Sequence, residues 1–258
     1  MNDTDHEVTV TSGLVYREID GITLHADLHL PKTDQPPPVA VYVHGGGFQF
    51  GARTDDAEQR LSALAAHGLA VLSIDYRPAP DVRFPAPVDD VREAVRWLRS
   101  HAADLGIDGE RVALWGASAG ATLAALAALS GTKAEVGAIV AWFGIADLAD
   151  TASRSWLEQQ ILPFDFEAVF LGDLDLAREA SPLTWVNASA PPFLIAHGDR
   201  DRVTPVSQSQ ILHDALVRAG AESTLLLVGG AGHEDRAFES PAHLALTAGW
   251  VLSTLTTA

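Results

Sequence analysis

The chain has 258 residues, and its 34 acidic and 17 basic side chains give a formal net charge of −17. The absence of cysteine excludes disulfides, thiol nucleophiles and cysteine-ligated metals, and the acidic excess argues against binding to nucleic acid or to anionic membranes. The first ten residues lack the features of a secretory signal, and no apolar run approaches the length of about 18 residues that spans a bilayer, so we expect a soluble, cytoplasmic protein.

The first part of the chain alternates between short apolar runs and amphipathic stretches. Apolar runs of about five residues predict strands that are covered on both faces, and apolar residues at helical spacing predict helices. In chain order we expect a hairpin of strands 14–19 and 22–30 about Asp20-Gly21, a strand at 39–43, a helix at 55–67, a strand at 69–74, a helix at 88–104, a strand at 111–115, a helix at 119–130 and a strand at 136–142. This repetition predicts a mostly parallel sheet with helices on both faces.

The alternation stops after Gly144. The segment from about 145 to 187 is rich in aromatic side chains but has no strand–helix rhythm, and we expect a small cap of short helices there. Regularity returns with a strand at 192–196, a helix at 206–219, a strand at 224–228 and a last helix from about Pro241. We therefore predict an α/β protein of one domain, residues 1–258, with a cap inserted at 145–187.

The segment Gly116-Ala117-Ser118-Ala119-Gly120 has the form of a nucleophile elbow. It lies between a predicted strand and a predicted helix, which is the setting that this motif requires. The glycines leave room for a tight turn that exposes Ser118, and the N–H of Ala119 would lie at a helix N-terminus, where a developing anion is favoured. The alternative is a turn of small residues that only packs the helix on the sheet.

The segment His44-Gly45-Gly46-Gly47-Phe48 directly follows the predicted strand 39–43. Three glycines allow the main chain to turn its N–H groups towards a ligand, and a His-Gly-Gly-Gly run at this point is typical of an oxyanion loop. A phosphate-binding loop is the alternative. The chain has no Lys-Ser or Lys-Thr after the glycines and neither glycine cluster reads G-x-G-x-x-G, so phosphate binding is disfavoured.

A serine nucleophile needs a base, and the base needs an acid that orients it. Of the ten histidines, His233 is the candidate because it follows the predicted strand 224–228 in a glycine-rich loop at the sheet edge where ligands of α/β proteins bind. The acid should follow the strand 192–196, where Asp199 and Asp201 both stand. Spacing alone does not separate these two aspartates.

These motifs resemble those of the hormone-sensitive-lipase-like esterase family of the α/β-hydrolase fold, especially its short feruloyl-esterase-like and kynurenine-formamidase-like relatives. The resemblance covers nearly the whole chain from about residue 14. It is carried by His44-Gly45-Gly46-Gly47-Phe48, by Asp75-Tyr76-Arg77-Pro78-Ala79-Pro80 with Phe84-Pro85, by Gly116–Gly120, by His197-Gly198 with Asp201 and Pro205, and by Gly230-Ala231-Gly232-His233. In that family the acid occupies the position of Asp201.

The chain departs from the family pattern in three places. Pro78 stands where leucine is usual, and only 43 residues precede His44, which implies a shortened N-terminal cap. Glu234-Asp235 follow the histidine where glycine and an aromatic residue are common, and they place additional negative charge beside His233.

The resemblance implies a serine carboxylesterase that hydrolyses short to medium acyl esters or aromatic esters. Ser118 would attack, with His233 as base and Asp201 as the acid that orients it, and the N–H groups of Gly46, Gly47 and Ala119 would bind the oxyanion. We expect a small ester as the partner, no metal or other cofactor, and a monomer or homodimer. An amidase or arylformamidase using the same residues is the alternative. A non-catalytic binding module is disfavoured because a histidine is retained at position 233.

Aromatic side chains near these motifs predict an apolar substrate pocket. The candidates are Phe48, Trp142, Phe143, Trp156 and Phe164. For each of them, packing in the core is the alternative role.

Overall fold

The computed structural model describes residues 6–131, 134–150 and 166–257. Within these residues eight strands form one sheet in the order β1-β2-β4-β3-β5-β6-β7-β8. The strands are β1 Val8–Ile19, β2 Ile22–Pro31, β3 Val39–Val43, β4 Ala70–Ile74, β5 Val112–Ala117, β6 Ala138–Trp142, β7 Phe193–Gly198 and β8 Ser223–Val228. The six strands from β4 to β8 along the sheet are parallel, whereas β1 and β2 join antiparallel at one edge. The predicted, mostly parallel sheet is confirmed.

Helices cover both faces of this sheet. They are α1 Ala63–Ala65, α2 Ala86–Leu105, α3 Ala119–Leu129, α4 Phe166–Leu171, α5 Val206–Ala219 and α6 Pro241–Thr257. Side chains of β3 alternate between two cores: Val41 packs with α2, α3 and α5, whereas Tyr42 packs with α1 and α6. Since β3 has no solvent-exposed face, all its residues are apolar, which explains why the continuous apolar run predicted this strand.

Helix α3 lies in the centre of the molecule. All of its eleven residues are buried, and its composition of alanine, glycine, leucine and one threonine lets the backbone pass close to β5 and β6. A helix that is apolar on every side is stable only inside a core. The turn that starts α3 therefore packs against the surrounding strands and helices.

The segment predicted as a helix at 55–67 has a different form. Residues Ala57–Ser62 form a wide, π-helical turn, and only Ala63–Ala65 are α-helical. The turn starts at Asp56, which has a left-handed backbone, and the N–H groups of Arg60 and Leu61 both point to the Asp56 carbonyl. A helical period of 3.6 residues cannot distinguish this wider turn from a regular helix.

Of the segment predicted as a cap, the structure describes residues 145–150 and 166–187. These contain α4 and two short 3₁₀ turns, Leu174–Leu176 and Pro182–Trp185. The predicted pocket residues Trp156 and Phe164 lie outside the described residues. In the part of the chain that the structure describes, no helix combines the length and apolar character needed to cross a membrane.

Candidate active site

Ser118 stands on the turn between β5 and α3, with φ 53° and ψ −123°. This positive φ is unfavourable for a side-chain-bearing residue, so the turn is strained and its neighbours must hold it. The two glycines that flank it, Gly116 and Gly120, cannot be replaced by larger residues without a steric clash. A Cβ on Gly116 would lie 2.3 Å from the backbone of Gly120, and a Cβ on Gly120 would lie 2.0 Å from the carbonyl oxygen of Val43.

Three predicted residues come together above this turn although they are far apart in the sequence. The Nε2 atom of His233 is 2.8 Å from the Oγ of Ser118, and its Nδ1 is 2.7 Å from Oδ2 of Asp201. A carboxylate accepts hydrogen bonds but cannot donate them, so the proton of neutral His233 lies on Nδ1. Its Nε2 is then free to accept the hydroxyl proton of Ser118.

Asp201 is buried and accepts hydrogen bonds at both carboxylate oxygens. Its Oδ1 accepts from the N–H groups of Val203 and Thr204 at 2.8 and 2.9 Å. Burial by itself raises the pKa of a carboxyl group, but the hydrogen bonds from His197, His233 and the backbone outweigh it and hold the pKa of Asp201 well below its usual range. Asp201 is therefore a carboxylate throughout the neutral range.

The two aspartates that spacing could not separate have different partners. Asp199 accepts a hydrogen bond from the N–H of Gly230 at 2.6 Å, so it fixes the backbone of the loop that carries His233. Asp201 contacts the imidazole of that histidine. Each aspartate thus has a defined place, and only Asp201 lies in line with Ser118.

A second histidine, His197, also reaches Asp201. Its Nε2 is 3.2 Å from Oδ2 of Asp201 and 2.9 Å from the carbonyl oxygen of Thr204, so Nε2 carries a proton. Its Nδ1 is 2.7 Å from the hydroxyl of Ser209 on α5. Sequence analysis placed His197 in a motif but did not give it this contact, because the motif carries no information about side-chain direction.

The glycine-rich loop after β3 lines the same cavity as Ser118. Gly46 and Gly47 both have positive φ angles, 111° and 58°. A Cβ on Gly46 would lie 2.2 Å from the carbonyl oxygen of Phe50, and one on Gly47 would lie 2.5 Å from the ring of Phe166, so neither position accepts a side chain. Ala119, at the first position of α3, also lines the cavity. Its N–H belongs to the first turn, where no intrahelical acceptor exists.

His44 at the start of that loop has a structural place. Its ring stacks on Tyr76 with a centroid distance of 4.4 Å, and its Nδ1 lies 2.7 Å from the carbonyl oxygen of Gly45. Burial lowers the pKa of His44, so the ring is neutral at neutral pH. It therefore supports the fold of the loop without adding charge to it.

The cavity above Ser118 has a volume of about 260 Å³. It is lined by Gly46, Gly47, Phe48, Phe50, Ser118, Ala119, Ile145, Phe166, Glu167, Val203, Thr204, His233 and Glu234. Most of the side chains that enclose it are apolar. The aromatic walls are Phe48, Phe50 and Phe166, of which Phe48 was among the predicted pocket residues.

Two predicted pocket residues lie elsewhere. Side chains alternate along β6, and Trp142 points with Val140 towards the face of α1 and α6, where it packs edge-on against Trp115. Phe143 does not line the cavity either, but its ring packs against the edge of the His233 ring at 4.9 Å between centroids. The sequence could not give this direction because a fully buried strand has apolar residues on both faces.

Among the described residues, no group of three or more metal-ligating side chains is placed to hold an ion. The described arrangement offers instead a hydroxyl, a neutral imidazole and a carboxylate in line, beside backbone N–H groups at a helix start and a glycine loop. This arrangement can move a proton from the hydroxyl and stabilise an oxyanion.

Comparison with known proteins gives a consistent picture. The BD-FAE family model matches residues 26–216. Among curated proteins, esterase LipC of Mycobacterium tuberculosis is 36% identical over 217 residues, which is 77% of this chain and 53% of LipC. Esterase LipQ of the same organism is 32% identical over 71% of this chain and 47% of LipQ. The chain thus spans about half the length of these relatives.

Solved structures with similar folds cover almost the entire chain. A truncated form of a carbohydrate esterase from gut microbiota has a TM-score of 0.85 and 25% identity, over 99% of both chains. A hyperthermophilic esterase from the archaeon Pyrobaculum calidifontis has a TM-score of 0.81 and 25% identity, over 100% of this chain and 86% of the other. The arrangement of sheet and helices is shared with both.

Proposed function

The chain belongs to the BD-FAE family and has the α/β-hydrolase fold, and from this premise we propose that it is a serine carboxylesterase. The observation that carries the proposal is the continuous hydrogen-bonded line from Asp201 through His233 to Ser118, which ends in a cavity lined by the glycine-rich loop. Relatives named as esterases support the same reaction class.

In the proposed reaction Ser118 attacks the carbonyl carbon of an ester while His233 takes the hydroxyl proton. Asp201 holds the imidazole in the required tautomer and stabilises its charged form. His233 then gives the proton to the leaving alcohol, and a water molecule attacks the acyl-enzyme with the same proton transfers. The N–H groups of Gly46, Gly47 and Ala119 hold the oxyanion, and loss of one such donor costs about 3 kcal/mol of transition-state stabilisation. The scheme requires neither a metal nor an organic cofactor.

The form of the cavity suggests which esters fit. A volume of about 260 Å³ with the rings of Phe48, Phe50 and Phe166 on its walls favours short to medium acyl groups and aromatic groups. We propose that the segment 145–187 is a cap over this cavity within a single domain, since its described residues Ile145 and Phe166 contribute to the lining. Long acyl chains are expected to fit poorly.

Active-site labelling tests the proposal directly. A fluorophosphonate probe forms a covalent bond only with an activated serine, so the native chain should take up one label per molecule and Ser118→Ala should take up none. Ser100→Ala, which changes an exposed serine on α2, is the matched control and should label fully. Retention of full labelling by Ser118→Ala would overturn the assignment.

Turnover distinguishes the reaction classes. The native chain should hydrolyse p-nitrophenyl acetate and butyrate faster than a long-chain p-nitrophenyl ester. Faster turnover of an N-formyl arylamine than of any ester would favour the amidase alternative, and binding without turnover of either would favour a receptor.

A further inference from the structure

Glu234, which directly follows His233, has an unusual backbone. Its φ of 51° lies in the left-handed region, where glycine is the relaxed choice and a side-chain-bearing residue is strained. The preceding loop has space around its glycines, since a Cβ on Gly229, Gly230 or Gly232 would meet no atom within 4 Å, and hydrogen bonds hold its backbone at Gly230 and Ala231. Glu234 at the end of this loop is strained and has an anchor of its own, which its side chain supplies.

The anchor is Arg60 on the π-helical turn. The Nη2 atom of Arg60 donates to Oε2 of Glu234 and to Oε1 of Glu239, both at 2.8 Å, and Nη1 donates to the hydroxyl of Tyr42 at 2.8 Å. Arg60 is only 2% exposed, and its guanidinium lies over the ring of Trp142 at 5.6 Å. A buried guanidinium whose two Nη atoms form these hydrogen bonds has little room to move, so it fixes the position of the Glu234 carboxylate.

Burial by itself would lower the pKa of Arg60. Its contacts with Tyr42 and Glu234 outweigh this effect and raise the pKa of Arg60 above its ordinary value, so the guanidinium stays charged. Asp56, 3.3 Å from Nη2, adds a further negative partner. The positive charge is therefore permanent and balances carboxylates from two different loops.

Glu234 also contacts the glycine-rich loop. A Cβ on Gly45 would lie 2.9 Å from Oε1 of Glu234, so the carboxylate stands between the loop of His233 and the loop of Gly46 and Gly47. Arg60 itself follows this second loop along the chain. It lines a neighbouring cavity of about 500 Å³ that shares Gly46 and Glu234 with the cavity of Ser118. Arg60 is absent from the lining of the catalytic cavity, and Glu234 is the residue that it contacts in that lining.

We propose that Arg60 and Glu234 are positioning residues that hold His233 in line with Ser118. The inference rests on the proposed function and adds to it residues that the triad does not include. Without the ion pair, the backbone at Glu234 can relax from its left-handed conformation and turn the imidazole of His233 away from the hydroxyl of Ser118.

The charge of Arg60 should also affect the pH dependence of the reaction. The charged groups around His233 are mainly acidic: Asp201 in contact, Glu234 beside it, Asp199 and Asp235 on the N–H groups of Gly230 and Gly232, and Glu167 from α4 across the cavity. Arg60 provides the buried positive charge that balances Glu234. Removal of Arg60 leaves the carboxylate of Glu234 unbalanced beside the site, so the acidic limb of the kcat/KM profile should move to higher pH.

The test compares Arg60→Met, Glu234→Gln and the double variant, with kcat expressed per site titrated by the fluorophosphonate. Arg60→Met should lower kcat by about 10- to 100-fold with a smaller change in KM, because a displaced base costs rate rather than binding. Its acidic limb should rise by roughly half a pH unit or more. Glu234→Gln should lower kcat less, since an amide oxygen still accepts from Arg60, and its limb should fall. In the double variant the acidic limb of the kcat/KM profile should return towards its position in the native protein, whereas kcat should stay low.

Arg92→Met is the matched control, because the largely buried Arg92 also pairs with a carboxylate, that of the partly exposed Asp89, but lies on α2 against Ser130. It should lose stability and keep the native kcat and pH profile.

A native kcat and a native acidic limb in Arg60→Met would overturn the proposal. If Arg60→Met does not fold, Glu234→Ala decides: it keeps a strained left-handed backbone at this position and removes the anchor, so a native kcat there would overturn the proposal equally. Absence of labelling and turnover in the native chain would instead refute the proposed function.

Discussion

Asp201 is hydrogen-bonded to two histidines that differ in accessibility to the cavity. His233 lines it and contacts Ser118, whereas His197 is fully buried behind the carboxylate. Because both rings donate to Oδ2 and two backbone N–H groups donate to Oδ1, every lone-pair direction of the carboxylate is used. A group with only acceptors is therefore required at this position.

Replacement of Asp201 by asparagine tests this requirement. The amide has one acceptor oxygen, so its NH₂ must face donors either from the histidines or from the backbone. Asp201→Asn should lower kcat by about 10⁴-fold, because His233 is no longer held in the tautomer that accepts from Ser118. Steady-state kinetics at pH 8, with the fold checked by circular dichroism, measures the effect. A loss of less than tenfold would show that His233 is oriented by other contacts.

The site residues differ in how far sequence could place them. Ser118, Gly46, Gly47 and His233 follow strands of a parallel sheet, and the carboxyl ends of such strands lie at one edge. The choice of Asp201 over Asp199 required the family resemblance, since both follow β7. The contacts of Arg60 join residues 174 and 179 positions apart along the chain. No local pattern reports a pairing of that kind.

At the scale of elements, the crossing of α3 over β3 leaves no space for a side chain at Gly120. Gly249, in the middle of α6, is exposed, and a Cβ there would meet no atom within 4 Å. Gly120→Ala should lower the free energy of unfolding by about 3 kcal/mol or prevent folding. Gly249→Ala should raise it by about 0.5–1 kcal/mol through helix propensity. Urea unfolding measures both, and equal stability of Gly120→Ala and the native chain would contradict the described crossing.

The start of α6 carries a buried histidine. The ring of His243 packs against Trp142 and Phe238, and no hydrogen-bond partner for its Nε2 is found among the described residues. Burial lowers the pKa of His243 to about 4. The unfolded chain therefore binds this proton at a higher pH than the folded chain does.

This difference predicts a pH-dependent stability. The contribution of neutral His243 is complete above the unfolded pKa near 6.5 and is lost as pH falls towards 4, by up to about 3 kcal/mol. His243→Leu removes the titrating group and keeps an apolar contact with Trp142. The variant should lose less unfolding free energy than the native chain between pH 7 and pH 4.5. Identical losses in chemical denaturation would refute the assignment.

An element could be predicted where each of its faces lies in one kind of environment. The bounds of α5 were predicted as 206–219, because Pro205 is a signal for a helix start and Gly220 is a signal for a helix end. The π-helical turn and the direction of Trp142 could not be predicted. The helical period does not distinguish a wide turn from a regular helix, and the continuous apolar run of β6 does not decide which side of the sheet Trp142 faces.

For the whole molecule, we expect the formal net charge of −17 to surround the protein, including the mouth of the cavity, with a negative field. Anionic esters should therefore bind more weakly than neutral esters of the same size. Raising the salt concentration from 10 to 300 mM shortens the screening length from about 30 Å to below 8 Å. KM for p-nitrophenyl hemisuccinate should fall over this range, whereas KM for p-nitrophenyl acetate should change little. Equal salt responses would show that the field does not reach the cavity.

The fold as a whole was accessible from sequence, as the family match and the structural neighbours confirm. Repeated strand–helix units predict a parallel sheet. The motifs that follow the strands show which edge of this sheet carries the site. The lining of the cavity is not accessible in the same way, because walls such as Phe50 and Phe166 come from segments without a regular pattern.

The burial of α3 on all sides has a consequence for how the protein opens. Amide protons of a central helix can exchange with deuterium only when the surrounding layers separate, so their protection should equal that of global unfolding. The loop of His233 and the strand β8 beside it are less covered and should exchange through smaller openings. Under mild denaturant the hydroxyl of Ser118 should thus keep its place longest, and inactivation should begin reversibly with the departure of the imidazole.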